Sequence, residues 1–172
     1  NSDPISKMSD NNRSCEVAII GAGTAGLSAR AEVSRYTDNY MVIDNGIMGT
    51  TCARVGCMPS KTLIEAANDL GGPALRQQIS GLRDQPVLPD VSAIMDHVRH
   101  LRDQFAGGVR ESMGSWASRL IRKKARLIDP HTIDLGDETI RAGSIIIATG
   151  SKPIIPEKWS SYGDYLIDTD QF

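Results

Sequence analysis

Between Glu16 and Asp44 the sequence permits few folds. Val17-Ala18-Ile19-Ile20 is a short run without a polar residue, the pattern of a strand buried on both faces of a parallel sheet. It runs directly into Gly21-Ala22-Gly23-Thr24-Ala25-Gly26, followed by a helical stretch from Leu27 to Arg35. A GxGxxG pattern is informative in this setting of strand, tight turn and helix. Gly21 then allows the turn, Gly23 lets a pyrophosphate approach the backbone, and Gly26 lets helix and strand pack closely. The helix N-terminus offers unpaired N–H groups and a positive dipole end to the phosphates. A second strand, Tyr40-Met41-Val42-Ile43, ends at Asp44. A carboxylate about 20 residues past the glycines is the expected acceptor for ribose hydroxyls. The competing reading, a loop that happens to be rich in glycine, leaves strand, helix and acid unexplained.

The second informative stretch is Gly49-Thr50-Thr51-Cys52-Ala53-Arg54-Val55-Gly56-Cys57-Met58-Pro59-Ser60-Lys61. On an ideal helix, cysteines five apart are separated by about 7.5 Å of rise and roughly 140° of rotation. A disulfide needs Cα atoms within about 7 Å. If Cys52 and Cys57 bond, the turn between them is distorted, and Gly56 is the residue that permits it. A strained bond between close-set cysteines suits one made and broken in function. The alternative is a pair of small buried residues that never react. Cys15, just before the first apolar run, has no activating neighbour and takes that inert reading.

The remaining chain reads as scaffold. Residues 1–14 form a polar tail without periodicity, with Met8 read as the native start. Thr62 to Leu70 continues as helix until Gly71-Gly72-Pro73, and Ala74 to Pro89 is irregular. A long amphipathic helix is predicted over Asp90 to Met113, with Val91, Met95, Val98, Phe105, Val109 and Met113 on one face. His97 and His100 lie on it without a third ligand, so no metal site is expected. Leu120–Ile128, Thr132–Leu135 and Glu138–Arg141 read as an antiparallel meander, with Arg122-Lys123-Lys124 as a solvated strand edge. Ser144-Ile145-Ile146-Ile147-Ala148 reads as another buried parallel strand, ending in Thr149-Gly150. Residues 151–172 show no clear element. The formal net charge of -2 and 5% aromatic content give no footprint for nucleic acid. No apolar run reaches the roughly 20 residues of a membrane span. Three cysteines without a leader point to a reducing cytoplasm.

These residues resemble the N-terminal part of the flavoprotein disulfide reductases, the family of dihydrolipoamide dehydrogenase, glutathione reductase and mercuric reductase. GAGTAG is similar to their FAD pyrophosphate loop, CARVGC to their redox disulfide, and IIIATGSKPIIP to the strand that closes the first FAD-binding segment. The resemblance implies an α/β, Rossmann-like FAD-binding domain: a parallel sheet with helices and an inserted antiparallel β-meander. It would span residues 15–156, with 157–172 as a connection toward an NAD-binding domain. Cys52 would exchange with the substrate dithiol. Cys57 would stand beside the flavin, forming a charge-transfer complex and a transient adduct. Lys61 would lie near the flavin N5. Gly21, Gly23, Thr24, Ala25 and Gly26 would hold the pyrophosphate and Asp44 the ribose. Thr51, Ala125, Thr149 and Gly150 would complete the cofactor contacts, with Ala125 presenting backbone to the adenine.

CxxxxC followed by Met58-Pro59-Ser60-Lys61 resembles the dihydrolipoamide dehydrogenase and mercuric reductase form. The implied route runs from a lipoyl dithiol through the disulfide and FAD to NAD, in a homodimer. Asp44 stands where Glu is usual, so a longer or water-mediated ribose contact is expected. Thr50 stands where a second glycine is common, so backbone packing against the flavin should differ. The chain has one GxGxxG and no histidine after His131, whereas the family's second dinucleotide domain and its His–Glu pair come later. The expectation is therefore a reductase fragment, incomplete relative to the full-length family and inactive alone. A sister reductase, or a flavin-binding module without catalysis, are the alternatives.

Overall fold

The structure, a computed structural model, describes residues 12–70, 90–166 and 168. The chain divides into two compact units, one formed by Asn1–Met48 and Met113–Ser151, the other by Gly49–Ser112 and Lys152–Phe172.

The first unit is built on one six-stranded sheet, in the order β3-β2-β1-β6-β5-β4. Its strands are β1 (Asn12–Ile20), β2 (Tyr40–Ile43), β3 (Leu120–Ile121), β4 (Arg126–Asp129), β5 (Thr132–Asp134) and β6 (Thr139–Ile147). Helix α1 (Thr24–Val33) makes the crossover from β1 to β2. β1 pairs in parallel with β2 on one side and β6 on the other, and β3 joins β2 in parallel. β4, β5 and β6 pair antiparallel. The core gathers the apolar residues of these strands, with Ile19, Ile43, Ile133, Ile140 and Val42 fully buried. Each such side chain contributes about 1.5–3 kcal/mol by leaving water.

Several sequence expectations shift here. Asn12–Ser14 are not tail: β1 begins at Asn12, because Asn12, Arg13 and Ser14 pair with Thr139, Ile140 and Arg141. Residues 1–11 of the expected tail lie outside the described residues. Helix α1 starts at Thr24 rather than Leu27. Leu120–Ile128 is not one strand. It divides into β3 and β4 at opposite edges of the sheet, since Leu120 and Ile121 pair with Val42 and Ile43. Conversely, Glu138–Arg141 and Ser144–Ala148 merge into β6. Gly143 does not break that strand; a Cβ there would lie 3.0 Å from the Glu16 carbonyl oxygen, so glycine eases the close approach of β1. β5 covers β6 only from Thr139 to Arg141. Among the described residues, the outer edge of β6 past Ala142 has no partner strand.

The basic run after β3 lies between strands rather than along an edge; Arg122 and Lys124 are exposed, while Lys123 is paired. Lys123 Nζ contacts both oxygens of Asp137, at 2.8 and 2.9 Å, and Glu138 Oε1 at 2.6 Å. Arg13 Nε reaches the other oxygen of Glu138 at 2.8 Å. The Glu138 side chain is only 4% exposed, so its burial is compensated by two cations. Nearby, the Arg119 guanidinium lies over Tyr40 and bonds Asp38.

The second unit contains α2 (Thr51–Arg54), α3 (Cys57–Leu70) and α4 (Val91–Ser112), with α4 packed against both other helices. The buried stripe of α4 differs from the expected one. Val98 and Ala106 are buried, whereas Val91 and Phe105 are exposed. Ala106 meets the turn at Gly49, where a Cβ on the glycine would already approach its methyl to 3.4 Å. That close approach selects the small residue and leaves Phe105 at the margin. The expected stop at Gly71-Gly72-Pro73 and the irregular stretch to Pro89 lie outside the described residues. Glu157–Tyr165, expected to be irregular, forms a 3₁₀ segment. No described helix is long and apolar enough to cross a membrane.

Candidate functional site

The candidate residues fall into two groups, one in each unit. In the sheet unit, the turn after β1 depends on two glycines for the fold. Gly21 has φ +110°, and a Cβ there would stand 2.1 Å from the Ala148 carbonyl oxygen. At Gly26 a Cβ would stand 1.8 Å from the Gly21 carbonyl oxygen. Gly23 differs. Its φ of -77° suits any residue, and a Cβ there would meet no atom within 4 Å. Nothing in the protein requires glycine at that position, and the space beside it is open.

Gly23 is also the N-cap of α1. It supplies no side-chain cap, and the first turn of the helix has no acid. The first bond of the helix ladder is Leu27 N–H to the Gly23 carbonyl, so the amides of Thr24, Ala25 and Gly26 precede it. Thr24 and Ala25 are exposed. Uncapped amides at a positive helix end, beside a position cleared of side chain, are what a pyrophosphate requires. FAD fits this cradle.

Asp44 closes the same loop. Its Oδ2 accepts the Ala22 N–H at 2.6 Å and its Oδ1 the Gly46 N–H at 2.6 Å. The shorter acid thus ties the glycine loop to the turn after β2. Arg122 was missed by sequence reasoning. Its Nη2 donates to the Gly46 carbonyl at 2.5 Å, Nη1 contacts Met48 Sδ, and Nη1 lies 4.0 Å from Asp44 Oδ1. The signal was the β2–β3 pairing: Ile43 lies opposite Ile121, so Arg122 follows beside Asp44. Reading Leu120–Ile128 as a meander strand concealed it. Ala125 is half-buried against the core. Thr149 and Gly150 are exposed, with Gly150 at φ +76°.

In the helical unit, Thr50 explains how two cysteines five apart can meet. It is buried, and its Oγ1 caps α2 by accepting the Ala53 N–H at 3.1 Å. Its φ of -73° is ordinary, so the position does not need glycine, whereas Gly49 before it has φ +105°. α2 ends after one turn, with Val55 at φ -137°. A Cβ at Gly56 would lie 3.0 Å from the Thr51 carbonyl oxygen. Glycine therefore lets the chain fold back on α2 before α3 begins at Cys57. The expected distortion is this break between two helices.

Both cysteines are free thiols; Cys52 is half-buried and Cys57 exposed. They interact directly. Hydrogen bonding to the Cys57 sulfur pushes the Cys52 thiol up, with burial and the Cys57 charge adding to it, while the Cys57 amide and Lys61 oppose it. The inert reading required burial, and neither residue has it. Lys61 is exposed one turn beyond Cys57 on α3. Cys15, by contrast, is buried, and burial pushes its thiol up. His97 and His100 are exposed. Among the described residues no three His, Cys, Asp or Glu side chains are grouped to hold a metal.

Comparison with known proteins places these features in a family. A mercuric reductase from Staphylococcus aureus is 29% identical over 160 residues, 90% of this chain and 28% of that protein. A dihydrolipoyl dehydrogenase from Haloferax volcanii is 32% identical over 146 residues, 81% of this chain and 30% of its own length. A glutathione reductase from Nostoc sp. is 30% identical over 148 residues, 83% and 31% respectively. The chain thus spans about three-tenths of the length of these relatives. In fold it is similar to the HOCl-induced flavoprotein disulfide reductase RclA from Escherichia coli, solved as a Cu(II) complex. The TM-score is 0.65 at 18% identity, covering 84% of this chain and 30% of that one. The family model described as "Pyridine nucleotide-disulphide oxidoreductase" matches residues 15–171. With the glycine cradle and the cysteine pair already in place, this chain belongs to the pyridine nucleotide-disulphide oxidoreductases, whose cofactor is FAD.

Proposed function

We propose that this chain is the FAD-binding and dithiol-exchange portion of a dihydrolipoamide dehydrogenase, which passes electrons from a lipoyl dithiol to NAD. The observation that carries the reading is the contact between Cys52 and Cys57 across the α2–α3 break, with Lys61 one turn beyond. Met58-Pro59-Ser60-Lys61 supports this member and mercuric reductase over glutathione reductase.

In the oxidised protein, a substrate thiolate attacks the Cys52 sulfur and Cys57 leaves as thiolate. The second substrate thiol then attacks the mixed disulfide, releasing the cyclic disulfide and the Cys52 thiol. Two electrons and two protons leave the substrate. Bound FAD supplies the acceptor that returns the cysteine pair to the disulfide and the donor for hydride transfer to NAD. Cys52 leaves this exchange as the thiol, and its hydrogen bond to Cys57 pushes that thiol up. Thr24, Ala25 and the open face at Gly23 would bind the pyrophosphate, with Asp44 at the ribose. Thr51, Lys61, Ala125, Thr149 and Gly150 would complete the contacts. The working protein is proposed to be a cytoplasmic homodimer.

The test is turnover by the full-length protein with dihydrolipoamide and NAD, against glutathione disulfide and mercuric ion with NADPH. Dihydrolipoamide oxidation that is lost in both Cys52→Ser and Cys57→Ser supports the reading. Activity confined to glutathione disulfide or mercuric ion replaces it with the sister reductase.

A further inference from the structure

The clamp around Asp44 carries an inference that rests on the FAD assignment and extends it to a residue outside the glycine loop. Both polar groups of the Gly46 peptide are held. Its N–H donates to Asp44 Oδ1 at 2.6 Å, and its carbonyl accepts from Arg122 Nη2 at 2.5 Å. Arg122 also contacts Met48 Sδ, and its Nη1 lies 4.0 Å from Asp44 Oδ1. The Asp44 amide donates to the Ile121 carbonyl at 3.0 Å, which keeps the chain after β2 beside the chain after β3.

This clamp is not core structure. Asp44, Gly46, Met48 and Arg122 all lie outside the buried cluster, Gly46 is exposed, and the Arg122 side chain is 45% exposed. An arginine fork is nonetheless committed to an exposed turn beside the acid that accepts from the glycine loop. A carboxylate offers about four acceptor positions, and Asp44 uses two on backbone amides. Fixing Gly46 from both sides fixes the rotamer of Asp44 and therefore where its other lone pairs point.

We propose that Arg122 is a positioning residue for the adenosine end of the cofactor. By holding the Gly46–Met48 turn, it presents the Asp44 carboxylate to the hydroxyls of the adenosine ribose. Lysine could supply the charge at this place but not a planar fork that reaches the Gly46 carbonyl and the Asp44 side together.

The experiment uses the full-length protein stripped of flavin, with calorimetric titration of FAD, ADP and 2′,3′-dideoxy-ADP. In the wild type, ADP should bind better than its dideoxy analogue. Arg122→Gln should weaken FAD and ADP by about tenfold, the worth of one charge-assisted hydrogen bond, and leave dideoxy-ADP within about twofold. In an Asp44→Asn background the same substitution should have no further effect on ADP. A structural role would weaken all three ligands together or lower the melting temperature of the apo protein. Equal loss for ADP and dideoxy-ADP, or no loss for either, overturns the proposal. If Arg122→Gln fails to fold, Arg122→Lys is read by the same ADP to dideoxy-ADP ratio, and failure of both to fold overturns it as well. A wild type that binds neither FAD nor ADP overturns the FAD assignment itself. A wild type that prefers ADP, with an unchanged preference in Arg122→Gln, overturns only the role of Arg122.

Discussion

Three alanine substitutions in the glycine loop should separate what glycine does for the fold from what it does for the ligand. At Gly26 the new methyl would stand 1.8 Å from a backbone oxygen, and at Gly21 it would stand 2.1 Å from another while φ stays at +110°. Neither neighbour is a flexible side chain, so strand and helix must separate. Overpacking costs about 1–3 kcal/mol, and a residue other than glycine at positive φ adds about 1–2 kcal/mol. Gly21→Ala should therefore lose about 2–5 kcal/mol and Gly26→Ala about 1–3 kcal/mol, a large share of the roughly 5–15 kcal/mol of a typical domain. Gly23→Ala meets nothing within 4 Å and should cost under about 1 kcal/mol, from its N-cap position. Its methyl would instead occupy the space proposed for the pyrophosphate, weakening FAD by at least about tenfold, or 1.4 kcal/mol. Urea unfolding of the apo proteins measures the first quantity, and flavin titration measures the second. A Gly23→Ala protein that binds FAD as tightly as wild type, or a Gly26→Ala protein with unchanged unfolding midpoint, refutes the reasoning.

Two further outcomes follow from the electrostatics. The Cys52 thiol is pushed up by its hydrogen bond to Cys57, so its reactive thiolate appears at higher pH than that of an ordinary cysteine and is lost first as pH falls. Iodoacetamide labelling of Cys52 in a reduced Cys57→Ser protein should shift to lower pH, and Lys61→Gln, which removes a lowering charge, should shift the profile of the intact pair upward. Glu138→Gln removes the shared acceptor of Arg13 and Lys123 and should cost about 2 kcal/mol in urea unfolding. The half-exposed cations keep part of their hydration, and a loss under about 0.5 kcal/mol would show the buried carboxylate to be uncompensated in the first place.

What could be read from the sequence was what depends on neighbours in the chain. Val17–Ile20, the three glycines and Asp44 lie within one strand–turn–helix–strand unit, and the structure assembles them as that order implies. The distortion between Cys52 and Cys57 was legible because Gly56 lies inside it. What escaped depended on distant partners. Arg13 looked like tail because its acceptor, Glu138, is on the far side of the sequence. Arg122 looked like a solvated edge because its neighbour Asp44 is brought to it by a parallel pairing of only two residues on each strand. Phe105 carried the helical period as well as Ala106 does, and the closeness of Gly49 decided between them.

The sheet also imposes an order of assembly. Asn12 pairs with Thr139, 127 residues away, and Thr139 opens the strand that carries β1 along its whole length. The Gly21 turn closes against Ala148, later still. Contacts of such separation carry a large loop-closure cost and form slowly. The break that brings Cys52 toward Cys57 is set within Gly49 to Lys61, and its further support comes from α4. During synthesis the thiol pair can take shape while most of the sheet is still unmade. On this ground the cradle for the pyrophosphate is expected to be completed after the turn that carries the dithiol.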